Sequence, residues 1–320
     1  MTTPTRRSTA ADVAAAAGVS RSTVSFVLNA TPGQTISDAV RQRVRAEAAR
    51  LGYRPHAHAR ALVSGASRTV LVPLPEWPVE YVLRQILDEA EATLDDAGYT
   101  LVTSGRHHSG NARPLWETLQ PDIVLPIERL AAEEAAAIRE LGIRVVEFDS
   151  DETEYVESVD AQVAHLVDRG HRVLAYASTT VPGMGRMSDA RIARARRACA
   201  DAGVRLQDAV VEESTARFVV REWRRAGVTG VASFNDDTAA LILGAAIREG
   251  LRVPSELAVI GHDDSPIARL LVPSLSSIRF DTTGLGRHLA ALALAAAAGG
   301  PPPTAQRPPT HARVVHREST

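Results

Sequence analysis

Residues 9–29, TAADVAAAAGVSRSTVSFVLN, contain two short helical patterns separated by a Gly-Val-Ser turn. Thr9 precedes the first pattern with Asp12 three residues later, a relative of the capping box that satisfies free N–H groups at a helix start. Gly18 can end that helix with a positive φ, and Ser20 can cap the next one. The residues expected to face inward are all apolar: Val13, Ala14, Ala17, Val19, Val24, Val27 and Leu28. The sequence therefore predicts a helix-turn-helix.

The second helix has a different character on its outward face, where Arg21, Ser22, Ser25 and Phe26 lie. In a helix-turn-helix this is the face that enters the DNA major groove. The alternative is an alanine-rich amphipathic hairpin without a nucleic-acid role. The agreement between the caps, the turn and the outward residues favours DNA binding.

Charge supports the same interpretation. Up to residue 64 the chain has nine arginines against three acidic residues, a local balance of +6, whereas the whole chain has a net charge of −2. The remaining residues therefore sum to −8. A basic head on an acidic body is the distribution expected of a phosphate-binding module joined to a domain with another task.

On these residues, and on 36–62, the chain resembles the LacI/GalR (lactose repressor-like) family of bacterial transcription regulators. A third helix is expected from about Ser37 to Leu51, with Gly52 ending it. The resemblance implies a short hinge helix at about 56–64, which in the family pairs across a dimer and pushes a leucine into the minor groove. The matching residue is Leu62, although a linker residue packed on the body is the alternative.

The resemblance and the outward face of the second helix together give a set of expected DNA contacts. Where Phe26 stands, family members commonly have an arginine that reads guanine; a phenylalanine can instead contact a thymine methyl. Base reading would then depend on Arg21 and Ser22, and Arg60 would contact phosphate. The expected DNA-binding residues are Thr9, Ser20, Arg21, Ser22, Thr23, Ser25, Phe26, Asn29, Tyr53, Arg60 and Leu62.

After residue 66 the pattern changes to alternating strands and helices, which is typical of an α/β fold with parallel sheets. The predicted strands are 69–73, 100–102, 122–125, 145–148, 172–177, 209–211, 230–234 and 257–261. The predicted helices are 79–97, 113–119, 131–141, 158–169, 189–202, 216–226 and 237–250. Two such sets predict two doubly wound lobes facing each other across a cleft, as in the periplasmic-binding-protein-like body of the family.

The resemblance also implies how the chain is divided. We expect a DNA-binding head at 1–55, a hinge at 56–66, and a body for effector binding and dimerisation at 67–320. The segment near 282–298 should cross back to the first lobe and 312–318 should return to the second. The first lobe would then comprise about 67–152 and 281–301, and the second about 153–280 and 302–320.

Three polar residues of the body match family positions that bind an effector: Arg191, Asn235 and Asp263. A sugar-like or purine-like molecule needs a few fixed donors and acceptors in a cleft, which these side chains supply. The alternatives are a surface charge, a turn residue and a loop cap, respectively. Trp77 and Tyr81 could stack on a ring or serve only in packing.

The first lobe departs from the family pattern. Pro75-Glu76-Trp77-Pro78 stands where an Asp or Ser and two aromatic residues are usual, the segment 103–121 is short, and 149–160 lacks the usual Asp-Asn step. Asp149 or Glu154 could replace the missing polar group. These departures leave open a regulator that needs no effector, and an activator.

Other classes of protein fit the sequence less well. The start MTTPTRRSTA lacks a signal-peptide core, and no apolar stretch reaches the length of a membrane span, which argues against a secreted solute-binding protein. The single cysteine, Cys199, indicates a reducing compartment. We find no dinucleotide fingerprint, nucleophile elbow or metal-ligand spacing, so we expect no cofactor, no metal and no enzymatic activity. The sequence predicts a cytoplasmic, homodimeric transcription repressor that binds a DNA operator and a small molecule.

Overall fold

The computed structural model describes residues 8–29, 33–53, 66–105, 113–147, 153–301, 308 and 311–320. Contacts within the chain divide it into two compact units, Met1–Arg68 and Thr69–Thr320. We refer to these units as the head and the body. The expected hinge helix and the residues Arg60, Leu62 and Asp149 lie outside the described residues.

Three helices form the described part of the head: α1 (Ala10–Ala17), α2 (Arg21–Leu28) and α3 (Asp38–Arg50). Thr9 and Asp12 form the capping box at the start of α1, with the Asp12 carboxylate accepting from the Thr9 N–H at 2.8 Å. Gly18 ends α1 with φ +65°, and the Ser20 hydroxyl accepts from the Thr23 N–H at 3.0 Å. These caps fix where the two short helices begin and end.

An apolar core holds the head helices together. Its buried members are Val13, Ala14, Ala17, Val24, Val27, Val44 and Ala48. Arg43 Nε of α3 also donates a hydrogen bond of 2.8 Å to the Ala17 carbonyl at the end of α1. Helices of eight residues are marginal by themselves in water, so this packing is what stabilises them.

The body contains two sheets. The first has the order β2-β1-β3-β4 and the second the order β10-β9-β8-β7-β5-β6; every pairing is parallel except that of β10 with β9. The first sheet comprises β1 (Thr69–Pro73), β2 (Thr100–Ser104), β3 (Ile123–Val124) and β4 (Arg144–Val145). The second comprises β5 (Val173–Ser178), β6 (Arg205–Val210), β7 (Gly230–Ser233), β8 (Ala258–His262), β9 (Ser276–Phe280) and β10 (Ala312–Val315).

Helices lie between the strands and cover the sheets. In chain order they are α4 (Tyr81–Asp96), α5 (Leu115–Leu119), α6 (Ala132–Glu140), α7 (Thr153–Glu157), α8 (Val159–Asp168), α9 (Gly185–Asp201), α10 (Ala216–Arg225), α11 (Asp236–Arg248) and α12 (Leu285–Ala297). Alternate residues of a strand pack on opposite layers: Leu174 and Tyr176 join one core cluster, whereas Ala175 and Ala177 join another. Strands that are buried on both faces explain the nearly continuous apolar runs in the sequence.

Two elements near the end of the chain contact different lobes. Helix α12 packs against α4 of the first lobe, and β10 then pairs with β9 of the second sheet. The first lobe consists of the four-stranded sheet with its helices and α12, and the second of the six-stranded sheet with its helices. Two doubly wound lobes confirm the predicted fold class.

Several strands differ from the sequence expectation: β3 and β4 are only two residues long, and β6 and β9 differ more. Strand β6 covers Arg205–Val210 rather than 209–211, because its pairing with β5 extends it through an edge of mixed polarity. Strand β9 was not among the predicted strands, since its serines resemble a loop. Ser276 and Ser277 are fully buried because their hydroxyls have partners, Thr320 at 2.7 Å and Asp236 at 2.5 Å. Hydrogen bonding removes the cost of burying such groups.

The described helices include none that is long and apolar enough to cross a membrane. Cys199 is buried in α9, and burial raises the pKa of its thiol to about 11. The thiolate is the reactive form of cysteine, and burial in the core disfavours it here.

Candidate functional site

The outward face of α2 is the candidate DNA-binding surface. Arg21 and Ser22 are exposed at the first turn, and Phe26 lies half-buried one turn further along. The Ser20 hydroxyl lies 2.7 Å from that of Ser22 and 2.8 Å from that of Thr23, so the cap also orders its neighbours. The helix start thus presents a cation, hydroxyls and free N–H groups together.

Other residues of the expected DNA-binding set have structural partners. Thr9 is engaged in the capping box, Asn29 donates to the Ser25 hydroxyl at 3.1 Å, and Tyr53 packs half-buried against the core of the head. Their side chains hold the shape of the surface. Arg21, Ser22 and Phe26 are therefore the most direct candidates for reading bases.

In the body, strand order indicates where a ligand binds. In each sheet the order reverses beside the first strand of its lobe, between β1 and β3 and between β5 and β7. Open α/β sheets bind ligands outside the carboxyl ends of strands at such points. The segments that follow these strands meet across a cleft that encloses a cavity of about 170 Å³.

Glu80 joins the two lobes at the polar end of this cavity. Its carboxylate accepts a hydrogen bond from Asn235 Nδ2 at 2.8 Å and is also hydrogen-bonded to Asp263. Burial and the neighbouring Asp263 raise the pKa of Glu80 to about 7. Two carboxyl groups in contact need a proton between them, so Glu80 is the member that carries it.

Asp263 is the charged member of this pair. Burial opposes its charge, but His262 and Arg191 lower its pKa below the usual value. His262 Nδ1 lies 2.7 Å from the Asp263 carboxylate, and burial lowers the pKa of His262 to about 4. Asp263 has φ +93°, a region that side chains other than glycine rarely adopt, and such strain concentrates at functional sites.

Arg191 lies beneath the cavity on α9 and is almost fully buried. Its Nη1 donates to the Phe234 carbonyl at 2.6 Å, and its guanidinium lies 4.7 Å from the centre of the Phe234 ring. Asn235 follows directly and accepts from the Thr238 N–H at 2.9 Å as the cap of α11. Asn235 thus acts as a helix cap through Oδ1 and faces Glu80 through Nδ2.

The structure brings Trp77, Arg191 and Asp263 to the wall of the same cavity and Asn235 to its edge. Trp77 Nε1 donates to Glu128 at 2.8 Å. The lobes also touch here, since a Cβ added to Gly183 would lie 3.0 Å from the Trp77 backbone nitrogen. Tyr81 lies elsewhere, at a second, polar cavity that Asp263 also borders. Glu154 belongs to α7, and its side chain is not described.

Sequence reasoning missed Glu80 and Phe234. Glu80 precedes α4 in the segment after β1, where the strand order places ligands, and this position was its only signal. Sequence reasoning also missed the apolar character of the cavity, because the cavity forms only where the two lobes meet. The apolar side chains around it are Trp77, Val82, Leu83, Ile86, Ile127, Tyr155, Met184, Met187, Phe234 and Leu285.

Comparison with known proteins agrees with this architecture. Residues 9–56 match the model of bacterial regulatory proteins of the lacI family, and residues 163–320 match a periplasmic binding protein-like domain. The chain is 29% identical to the HTH-type transcriptional regulator GntR of Pseudomonas aeruginosa, over 92% of this chain and 90% of that one. It is 27% identical to GalR of Escherichia coli, over 89% and 88%.

Among solved structures, the lac repressor dimer bound to operator and an anti-inducer matches with a TM-score of 0.74 and 22% identity, over 98% of this chain and 99% of that one. A helix-turn-helix head followed by a two-lobed binding-protein-like body defines a class of bacterial DNA-binding regulators. Within that class, the head of this chain matches the lacI family of bacterial regulatory proteins, and the chain as a whole is similar to transcriptional regulators. Its named relatives are regulators of transcription rather than enzymes.

Proposed function

We propose that this protein is a homodimeric repressor of a near-palindromic operator, and that a small molecule between its lobes changes its operator affinity. The exposed start of α2 carries the proposal, because Arg21 and Ser22 are exposed beside Phe26 on a helix fixed by its caps and by the core of the head. Two heads on a twofold dimer would meet two inverted half-sites.

We expect Arg21, Ser22 and Phe26 to read the bases. The Arg21 guanidinium can donate two hydrogen bonds to a guanine edge, and the Ser22 hydroxyl can bond to several bases. Phe26 offers only apolar contact, which suits a thymine methyl. The +6 balance up to residue 64 supplies attraction to phosphates that is independent of sequence and sensitive to salt.

The body would act as the switch. A ligand that contacts both lobes near Glu80, Asn235 and Asp263 favours one degree of closure, and it shifts the population only by its difference in affinity for the two states. Lobe closure would then alter how the dimer holds its hinge segments at 56–66. Such a regulator works in the cytoplasm, with the DNA.

Selection of duplexes from a random pool by the full-length protein tests the proposal. We expect a palindromic sequence to be enriched. Arg21→Ala should weaken binding to it at least tenfold, and Arg84→Ala, which removes an exposed arginine of the body, should have no effect.

No enrichment over bulk DNA would contradict sequence-specific binding. An enriched operator whose affinity no small molecule changes would support a regulator that needs no effector. The first outcome rejects the role of the head and the second rejects the role of the cleft, so the two parts of the proposal are tested separately.

A further inference from the structure

The walls of the inter-lobe cavity are apolar on both sides. Leu83, Ile86 and Ile127 line it from the first lobe, and Met184 and Met187 from the second. Trp77 is half-buried at its border, and its N–H is already bonded to Glu128. A ligand held here therefore has to be apolar over most of its surface.

Five charged residues line the cavity among the residues that the structure describes. Glu80 and Asp263 meet, with Arg191 behind them, and Arg186 and Glu128 complete the set. Arg191 is directed to the Phe234 carbonyl and its ring. A ligand can therefore make its main polar contact with the two carboxyl groups.

This arrangement does not suit a sugar. A monosaccharide carries hydroxyls around its whole ring, and each one buried without a partner costs about 1–3 kcal/mol. The leucine, isoleucine and methionine side chains of both walls offer no such partners. An apolar cavity of about 150 Å³ is large enough for a benzene ring, so the volume of about 170 Å³ suits a ligand with one ring.

Charge selects the polar group of that ligand. Glu80, Glu128 and Asp263 give three negative groups when all are ionised, against Arg186 and Arg191. A carboxylate would be repelled by the Glu80 and Asp263 pair, whereas an ammonium group would replace the proton that they share. The ammonium also offers three donors, which the oxygens of the two carboxylates can accept.

We propose that the cleft binds a small arylalkyl amine, with its ring between Trp77 and the methionines of α9 and its ammonium group between Glu80 and Asp263. This inference rests on the proposed function and names the chemical class of the effector. Glu80 and Asn235 bond to each other across the lobes at the place proposed for the polar end of the ligand.

Binding of the amine should be coupled to the release of a proton from the protein. The charged groups that face Glu80 are Asp263 on the β8 side and Arg191 on α9, with Asn235 as a neutral neighbour. Since the pKa of Glu80 is raised to about 7, binding an ammonium group requires Glu80 to release its proton. Amine affinity should therefore rise between about pH 6 and about pH 8 and level off above.

Isothermal titration calorimetry of the full-length protein with four matched probes tests the inference. Phenethylamine should bind, at least tenfold more tightly than phenethyl alcohol, and phenylacetate and galactose should be weaker still. Titration in two buffers with different ionisation enthalpies should show proton release for the amine alone. This measurement needs no variant.

Glu80→Gln keeps an oxygen for Asn235 but removes the charge, so it should lower phenethylamine affinity at least tenfold and abolish the pH dependence. The matched control is Glu91→Gln, the same change at an exposed position of the helix that Glu80 precedes. Tightest binding of galactose or phenylacetate, or no binding of the amine at millimolar concentration, would overturn the inference. Operator selection by the same preparation would then show that the regulator role stands without it.

Discussion

At the residue scale, single side chains of the cleft have two roles. Asn235 caps α11 and bonds to Glu80, and Asp236 beside it accepts from the Ser277 hydroxyl at 2.5 Å and the Ser265 N–H at 2.6 Å. These buried contacts tie the ends of β7, β8 and β9 together. The candidate binding residue Asn235 is therefore held in place by a segment that the fold also needs.

Gly261→Ala should destabilise the body, because a Cβ at this position would lie 2.2 Å from Asp236 Oδ1 and 2.9 Å from Leu275 Cδ2. Relieving this clash requires a shift of a buried carboxylate, and we expect a loss of about 1–3 kcal/mol in the free energy of unfolding. Urea unfolding measures this loss. Gly105→Ala follows a strand where an added Cβ meets no atom within 4 Å, and it should be nearly neutral. Equal stability of the two variants would disprove the steric argument.

At the element scale, α12 is fixed on α4 by close backbone contact and by charge. The Glu89 carboxylate of α4 accepts from the Gly284 and Gly286 N–H groups at the start of α12 and also pairs with Arg287. A carboxylate at a helix N-terminus is favourable because it satisfies free N–H groups and the helix dipole. This contact fixes the crossover helix to the first lobe.

Gly286→Ala should separate these helices, since the added Cβ would lie 2.4 Å from the Ile86 carbonyl oxygen and 2.7 Å from the Ala90 nitrogen. Backbone atoms cannot move aside without disturbing the helix, so we expect the free energy of unfolding to fall by at least about 2 kcal/mol. Gly244→Ala is the control, because it lies inside α11 and meets only the mobile end of Arg248. Gly244→Ala should leave the free energy of unfolding unchanged or raise it by about 0.5–1 kcal/mol, because alanine has the higher helix propensity. A stable Gly286→Ala variant in thermal unfolding would refute the packing described here.

The proposed hinge element gives a prediction on DNA. If Leu62 is a minor-groove wedge, Leu62→Ala should weaken operator binding and leave nonspecific, salt-sensitive binding nearly unchanged. Gel-shift titration with operator and random duplexes measures both. Leu270→Ala, at a leucine of the body that is 76% exposed, should change neither. An equal loss on both duplexes would show that Leu62 does not act as a wedge.

At the scale of the whole molecule, pH should act on stability through buried acids, and Asp236 beside the cleft is one of them. Burial raises the pKa of Asp236 to about 7. Since the folded state then holds a proton that the unfolded state has released, the contribution of Asp236 is largest at low pH. It is lost as pH rises from about 4 to about 7.

The stability of the wild type relative to Asp236→Asn should therefore fall over that range and be constant above it. Urea unfolding from about pH 5 to about pH 8 tests this, and Asp237→Asn, at the exposed neighbouring position, is the matched charge control. A difference that increases with pH would contradict the assigned direction.

The sequence by itself determined the elements whose signals are local. The caps at Thr9, Gly18 and Ser20 and the apolar spacing of the first helices specify the helix-turn-helix, and alternating strands and helices specify two doubly wound lobes. Arg191, Asn235 and Asp263 were chosen because they match family positions, and their role in effector binding stays a prediction. The fold predictions succeeded because caps and periodicity act over a few residues.

Only the tertiary structure decided what the cleft is. Glu80 and Asn235 are 155 positions apart in the chain, and their bond exists because two lobes bring the ends of β1 and β7 together. The apolar walls come from segments of both lobes, and the raised pKa of Glu80 comes from burial and from Asp263. Long-range contacts and desolvation depend on which surfaces meet, and a local pattern does not carry that information.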